Sequence, residues 1–154
     1  MNKLIFASVI VSSLPSGCAS VPTESNAQEE QAKAFSAPSD SMAGLYIFRK
    51  DSFGGAALKK DVLVDGECIG ETAKGVFFYH EVEGDQEHTL STESEFSNND
   101  IVLYTDAGEL YFIEQYIKMG VFVGGAGLKQ VESDEGKTQL AKLKMAAKGT
   151  CGNN

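Results

Sequence analysis

Apolar positions in this chain fall in short runs separated by turn-forming residues, and the spacing is clearest over residues 61–90. An apolar run at 62–64 meets Asp65-Gly66, a dipeptide that readily takes the positive φ angles of a two-residue hairpin turn, and residues 67–72 return. A second turn at Lys74-Gly75 launches 76–82, and a third around 83–86 launches 87–92. The pattern predicts a β-meander. Upstream, Leu45, Tyr46, Ile47 and Phe48 are consecutive, so both faces of a strand over 44–50 are apolar and both need cover. Further strands are expected at 101–105 and 110–119, joined by Asp106-Ala107-Gly108, and then at 121–123 and 128–132. In the longest run Tyr111, Ile113, Ile117 and Met119 share one face, with Leu110, Phe112 and Tyr116 on the other.

Residues 134–148 carry the convincing helical signal. Ser133 or Asp134 can cap its start, Glu135 suits the positive end of the helix dipole, Lys142, Lys144 and Lys148 suit the negative end, and Gly149 is placed to stop it. Leu140, Leu143 and Ala147 form its apolar stripe. The expected fold is mainly β: an antiparallel β-sandwich or curled sheet with one C-terminal α-helix on an edge or outer face.

The N-terminus changes the picture from a soluble domain to an exported one. Met1, Asn2 and Lys3 give a short positive start, residues 4–14 are apolar, and Pro15-Ser16-Gly17-Cys18 follows. This is a secretory signal, too short to span a bilayer as a helix. Residues 14–20, with Ser16, Gly17 and Cys18, resemble the lipobox of bacterial lipoproteins. That resemblance implies that Cys18 is diacylated and becomes the mature N-terminus, and that Ala19 directs the protein to the outer membrane, with its domain in the periplasm. Ordinary signal-peptidase cleavage after Ala19 or Ser20 is the alternative. The expected organisation is a signal peptide at 1–17, a lipidated flexible tether at 18–41, a β-sandwich-like domain with its C-terminal helix at 42–149, and a tail at 150–154. Residues 19–40 are polar with two prolines, and as a coil would average about 25 Å end to end; a helix over 27–35 is the competing reading.

With 154 residues, 22 acidic and 13 basic, the formal charge is −9 and the basic residues are scattered, which argues against a nucleic-acid or anionic-lipid surface. Once Cys18 is committed to lipid, Cys68 and Cys151 remain in an oxidising compartment. They either form a bridge, which would stabilise the fold by about 4 kcal/mol, or leave Cys68 buried and Cys151 free.

Candidate chemistry is thin. His80 and His88 lie among Glu81, Glu83 and Glu87, and on paired strands they would approach each other; two histidines and a carboxylate suit zinc or iron, but no close-spaced ligand motif supports a metal site, and His88 better serves the turn. Residues 120–127, GVFVGGAG, lack the Gly-Lys-Ser/Thr ending of a phosphate loop and precede a strand, so a close strand contact or a bend is the expected use of these glycines. No nucleophile elbow or cysteine–histidine pair is present, and no catalytic residue or cofactor is assigned. Phe77, Phe78, Tyr79, Tyr104, Tyr111, Phe112 and Tyr116 either fill a core with two covered faces or leave some exposed for a partner.

Taken in order, Tyr46-Ile47-Phe48-Arg49, Val64-Asp65-Gly66 with Ile69-Gly70, Phe77-Phe78-Tyr79, Gly108 with Tyr111-Phe112-Ile113, and Glu135-Gly136-Lys137 resemble a family of small bacterial lipoproteins, domain of unknown function twenty-eight forty-six, over residues 43–147. The hairpin from Val64 to Thr89 also resembles PEGA-type surface modules. The resemblance implies a fold and a cell-envelope location and no catalytic residue. The functional expectation is a non-enzymatic lipoprotein, held to the membrane by its anchor, that binds an envelope protein or cell-wall component; the alternative is a metal-dependent or carboxylate-based periplasmic hydrolase using His80 and His88.

Overall fold

The computed structural model describes residues 19–152. The chain runs α1 (Asn26–Lys33), β1 (Met42–Arg49), β2 (Lys60–Val64), β3 (Glu67–Thr72), β4 (Val76–Glu83), β5 (Gln86–Thr92), β6 (Asn99–Thr105), β7 (Leu110–Lys118), β8 (Gly125–Val131), α2 (Ser133–Leu140) and β9 (Lys144–Met145). A five-stranded sheet, β8-β7-β1-β4-β9, faces a four-stranded one, β3-β2-β5-β6. The result is the expected mainly-β sandwich, with the C-terminal helix on an outer face. Most pairs are antiparallel, but β1 runs parallel to β7 and β4 parallel to β9, so the first sheet is mixed.

β1 explains the layering. Its odd-numbered residues Ala43, Leu45 and Ile47 pack between the sheets with Val62, Val64, Phe78, Leu90 and Ile113, while Tyr46 and Phe48 pack on the opposite face with Phe77, Phe112, Leu140 and Leu143. A strand in an exposed sheet would alternate apolar with polar; this one has a second core on its back, closed by the helices.

One of those covers corrects the expected tether at 18–41. Residues 26–33 form α1, started by a reciprocal capping box between Ser25 and Gln28. The Tyr46 hydroxyl donates to the Ala32 carbonyl at 2.6 Å, and the Phe35 ring meets Tyr46 edge-on with centroids 5.4 Å apart. Before the helix, Thr23 bridges to Ala146, and the Ala19 N–H donates to the Ala56 carbonyl at 3.1 Å. The described part of this segment is therefore fastened to the domain. The outer face of β1 and β4 would otherwise leave large aromatic rings in water, and covering them outweighs the chain entropy that a polar segment normally keeps.

The C-terminal helix is shorter than expected. It ends at Leu140, the chain turns, and β9 adds to the open edge of β4: the Lys144 N–H donates to the Gly75 carbonyl at 3.0 Å and the Ala146 N–H to the Phe77 carbonyl at 2.8 Å. Strand pairing satisfies an edge that a continued helix would leave bare. Gly136 lets α2 lie directly on β7, since a Cβ there would sit 2.4 Å from Cγ of Phe112. Residues 121–123, expected as a strand, form an exposed loop whose N–H groups bond the Glu95 carboxylate instead of a neighbouring strand.

Candidate functional site

Cys18, the expected lipidation site, and the signal segment before it lie outside the described residues. Ala19, its neighbour, is bonded to the loop between β1 and β2. The other two cysteines are joined: Cys68 on β3 and Cys151 form a disulfide across a separation of 83 residues, with Cα atoms 5.9 Å apart. The bridge ties the segment after β9 to the Asp65-Gly66 hairpin, and the Gly152 N–H, donating to Asp61 Oδ1 at 3.1 Å, fastens it further. Residues 150–152 are thus tied to β2 and β3, where a tail was expected.

His80 and His88 do not sit on paired strands. β4 and β5 belong to different sheets; His80 pairs with Leu45, and His88 with Leu103. Both do line a hollow of about 360 Å³ with Asp65, Glu67 and Glu83. His88 is buried, with Nδ1 2.6 Å from Asp65 Oδ2 and Nε2 2.8 Å from the Glu83 carbonyl oxygen. A carbonyl and a carboxylate are both acceptors, so the ring satisfies both by donating from each nitrogen, as an imidazolium. Burial opposes that charge, but the Asp65 and Glu83 bonds prevail and raise its pKa above the ordinary histidine value. Asp65 moves the opposite way: burial resists its charge, yet His88 and the Thr89 N–H hold its carboxyl below the usual carboxylate range. Asp65 itself has φ 51° and Gly66 φ 80°, the turn geometry that Asp-Gly supplies. His88 is thereby a pin joining two turns, and neither nitrogen has a lone pair to offer a metal or a proton.

His80 differs. The Lys148 ammonium donates to its Nδ1 at 2.8 Å, and burial first, then the Lys148 charge, lowers its pKa. It is a neutral imidazole. Among the described residues no three or more His, Cys, Asp or Glu side chains converge as a metal-ligand group. The glycines of 120–127 serve close contacts: a Cβ on Gly124 would meet Leu58, and one on Gly127 the Tyr116 ring.

The expected aromatics divide. Phe77, Phe78 and Phe112 are buried, Tyr79, Tyr111 and Tyr116 are partly covered, and Tyr104 stands exposed on β6. Sequence reasoning missed a recess under α1, a space of about 280 Å³ lined by Gln28, Gln31, Ser36, Tyr46, Tyr79 and Glu81. Its signal in the sequence was the Ser25-x-x-Gln28 capping box that starts the helix forming one wall. The Tyr79 hydroxyl donates to Glu81 Oε1 at 2.8 Å. Hydrogen bonds from Ser39, opposed by burial and reinforced by Tyr79, keep the Glu81 carboxyl below its ordinary value. Burial pushes Tyr46 up to about 12. At neutral pH the recess therefore presents an ionised carboxylate, protonated phenols and two carboxamides. That set can bind polar groups by hydrogen bonding.

The chain is 52% identical over 141 residues to an uncharacterized protein of Haemophilus influenzae (strain ATCC 51907 / DSM 11121 / KW20 / Rd), a match covering 91% of this chain and 83% of that protein. No solved structure matches it significantly. The model of the family described as "Protein of unknown function (DUF2846)" matches residues 39–126, from the turn before β1 to the start of β8. By that match, which spans more than half of it, the chain belongs to the DUF2846 family.

Proposed function

We propose that this chain is an exported lipoprotein of the bacterial cell envelope, anchored by acylation of Cys18 in the outer membrane, whose β-domain acts in the periplasm as a non-enzymatic binding or adaptor module for an envelope protein or cell-wall component. The observation that carries the reading is the Cys68–Cys151 bridge, in a chain whose first 17 residues have the pattern of a secretory signal. A disulfide that closes so long a loop suits an oxidising compartment and would be lost in a reducing one. The recess under α1, with Glu81, Tyr79 and two glutamines, supplies hydrogen-bonding groups for a polar ligand.

The competing hydrolase draws little support, because both nitrogens of His88 are engaged by Asp65 and Glu83. The deciding experiment is the intact mass of the protein recovered from the membrane fraction, before and after reduction and alkylation. A mass for residues 18–154 plus acyl chains, with cysteines alkylated only after reduction, is the expected result. A mass for cleavage after Ala19 or Ser20 overturns the anchor, and alkylation without reduction overturns the bridge.

A further inference from the structure

Three loops, residues 50–59, 93–98 and 119–124, meet at one end of the sandwich. β1 and β7 are parallel and both finish there, while β2 starts and β5 finishes there, with Val62 opposite Thr92. These loops carry six of the eight large apolar side chains that stand exposed among the described residues, so the apolar surface is concentrated and not scattered. Phe53 is 97% exposed, Met119 101% and Phe122 84%, with Phe96, Val121 and Val123 beside them in the same loops. Exposed apolar surface gathered in this way marks a site of contact with another apolar phase or partner.

The loops are braced so that these tips stay outside. Glu95 accepts the N–H groups of Val121 at 2.6 Å and Val123 at 3.2 Å, and that of Phe122 as well. The Ala126 N–H donates to the Glu93 carbonyl at 3.2 Å, and Asn99 Nδ2 to the Ala126 carbonyl. The buried Arg49 guanidinium donates to the carbonyls of Leu58, at 2.7 Å, and Gly55, fixing the first loop from beneath. Two carboxylates at this end are ion-paired, and a third stays charged beneath backbone donors. Glu93 pairs with Lys60 at 2.7 Å, Asp51 with Lys74 at 3.5 Å, and the Glu95 carboxylate is occupied by three N–H donors.

What covers this end is indicated by the chain itself. Ala19 is bonded to Ala56, in the first of these loops, so Cys18 is one peptide, about 3.8 Å between Cα atoms, from a residue fixed at the apolar end. An acylated Cys18 brings its hydrocarbon chains to the same place. A free tether would have left the orientation of the domain open; the fastened segment does not.

We propose that the loop end is a bilayer-docking surface: Phe53, Met119, Val121 and Phe122 enter the interfacial layer of the membrane that holds the acyl chains of Cys18. The inference rests on the anchor reading for its orientation. The domain then lies directly on the membrane, with the Asp65-Gly66 turn and the hollow beside His80 and His88 at the opposite end, toward the periplasm. The contact is apolar and needs no basic patch: Lys50, Lys59, Lys60 and Lys74 at this end are each paired with a carboxylate.

The chain contains no tryptophan, so one introduced indole reports alone. Full-length protein recovered from membranes, carrying Phe122→Trp or, as control, Val102→Trp on the outer face of β6, is placed in phosphatidylethanolamine–phosphatidylglycerol vesicles containing lipids brominated near the top of their acyl chains. Docking predicts that emission from residue 122 falls about twofold while that from residue 102 is almost unchanged, and that added salt does not relieve the quenching. Equal emission at both positions overturns the proposal, as does a blue-shifted but unquenched residue 122, which would point to a second copy of the chain covering the loops. Intact mass on the same sample reads the anchor separately. If Cys18 carries no acyl chain, the anchor reading fails; quenching at residue 122 on co-floated vesicles would then still uphold docking, and its absence would overturn that too.

Discussion

The side-chain amide of Gln115 donates to the hydroxyl of Thr92 at 2.8 Å, across the interior of the sandwich. Gln115 lies on β7 in one sheet and Thr92 on β5 in the other. The Thr92 hydroxyl in turn donates to the Asp61 carbonyl at 2.7 Å, and the Thr72 hydroxyl donates to the Gln115 side-chain carbonyl oxygen, so each group of the buried amide has a partner. Such a network specifies one registration of the sheets, because sliding either sheet leaves several polar groups dry and unpaired. Replacing Gln115 by Ala removes the bolt and opens a cavity; the expected loss is about 3 kcal/mol, read from the urea midpoint, with the disulfide intact. A loss no larger than that of an exposed Gln130→Ala substitution would show that the network does not hold the sheets.

The Asp65–His88 pair gives the fold a pH window. His88 has a raised pKa, so its contribution is complete below the unfolded value of about 6.5 and is lost as pH rises through the folded value. Asp65 has a lowered pKa, so its contribution is present above about 3.9 and is lost as pH falls through the folded value. Both are in force between those limits. The difference in urea midpoint between the native chain and His88→Gln is therefore expected to be largest from about pH 4 to 6, and to shrink on either side. Its size should be about 1 kcal/mol, because half-exposed Asp65 is screened by solvent. A difference that grows steadily above neutrality would contradict the charged form of His88.

Gly136→Ala tests the contact between α2 and β7. Alanine raises intrinsic helix stability by about 1 kcal/mol over glycine, yet here its methyl would overlap the Phe112 ring. That ring is buried and stacked on Tyr46 at 5.2 Å, so it has nowhere to go. The clash should win, with a net loss of about 2 kcal/mol. Phe112→Leu should absorb much of that loss in the double variant, a coupling that thermal or urea unfolding of the four proteins measures. Additive losses would place the strain elsewhere.

How much of this was legible depended on whether a residue's role was local. Asp65-Gly66 and Lys74-Gly75 announce their turns because the required φ angles belong to the residues themselves, and the run Leu45–Phe48 announces a strand covered twice. Gln115 announces nothing: inside an apolar strand it reads as an ordinary polar interruption, and its partners Thr72 and Thr92 are distant in sequence. α1 showed in the sequence only as the competing helix over 27–35, because the residues it buries are Glu29 and Ala32, a carboxylate held by lysines in the place of an apolar residue. The loop end was misread for the opposite reason. Val121-Phe122-Val123 has strand composition, but the Glu95 carboxylate, supplied by another loop, claims its N–H groups.

Glu29 is therefore the residue through which the attachment of α1 can be tested. Its Oε1 accepts from Lys33 at 2.9 Å and Lys144 at 3.4 Å, and its Oε2 from the Met145 N–H at 3.1 Å, so one carboxylate ties the helix to β9. Burial alone would raise its pKa, but these bonds overcome it and hold the carboxyl below its ordinary value. Glu29→Ala leaves the Met145 N–H and two ammonium groups without that partner, at a cost of about 2 kcal/mol. The cost should be local first: amide exchange in residues 26–33 is expected to quicken well before the sandwich strands change, because the inter-sheet core does not include the helix. Glu29→Gln, which still accepts from Met145, should recover part of the protection. Uniform exchange across helix and strands in Glu29→Ala would mean that α1 is not a separable cover but part of the cooperative core.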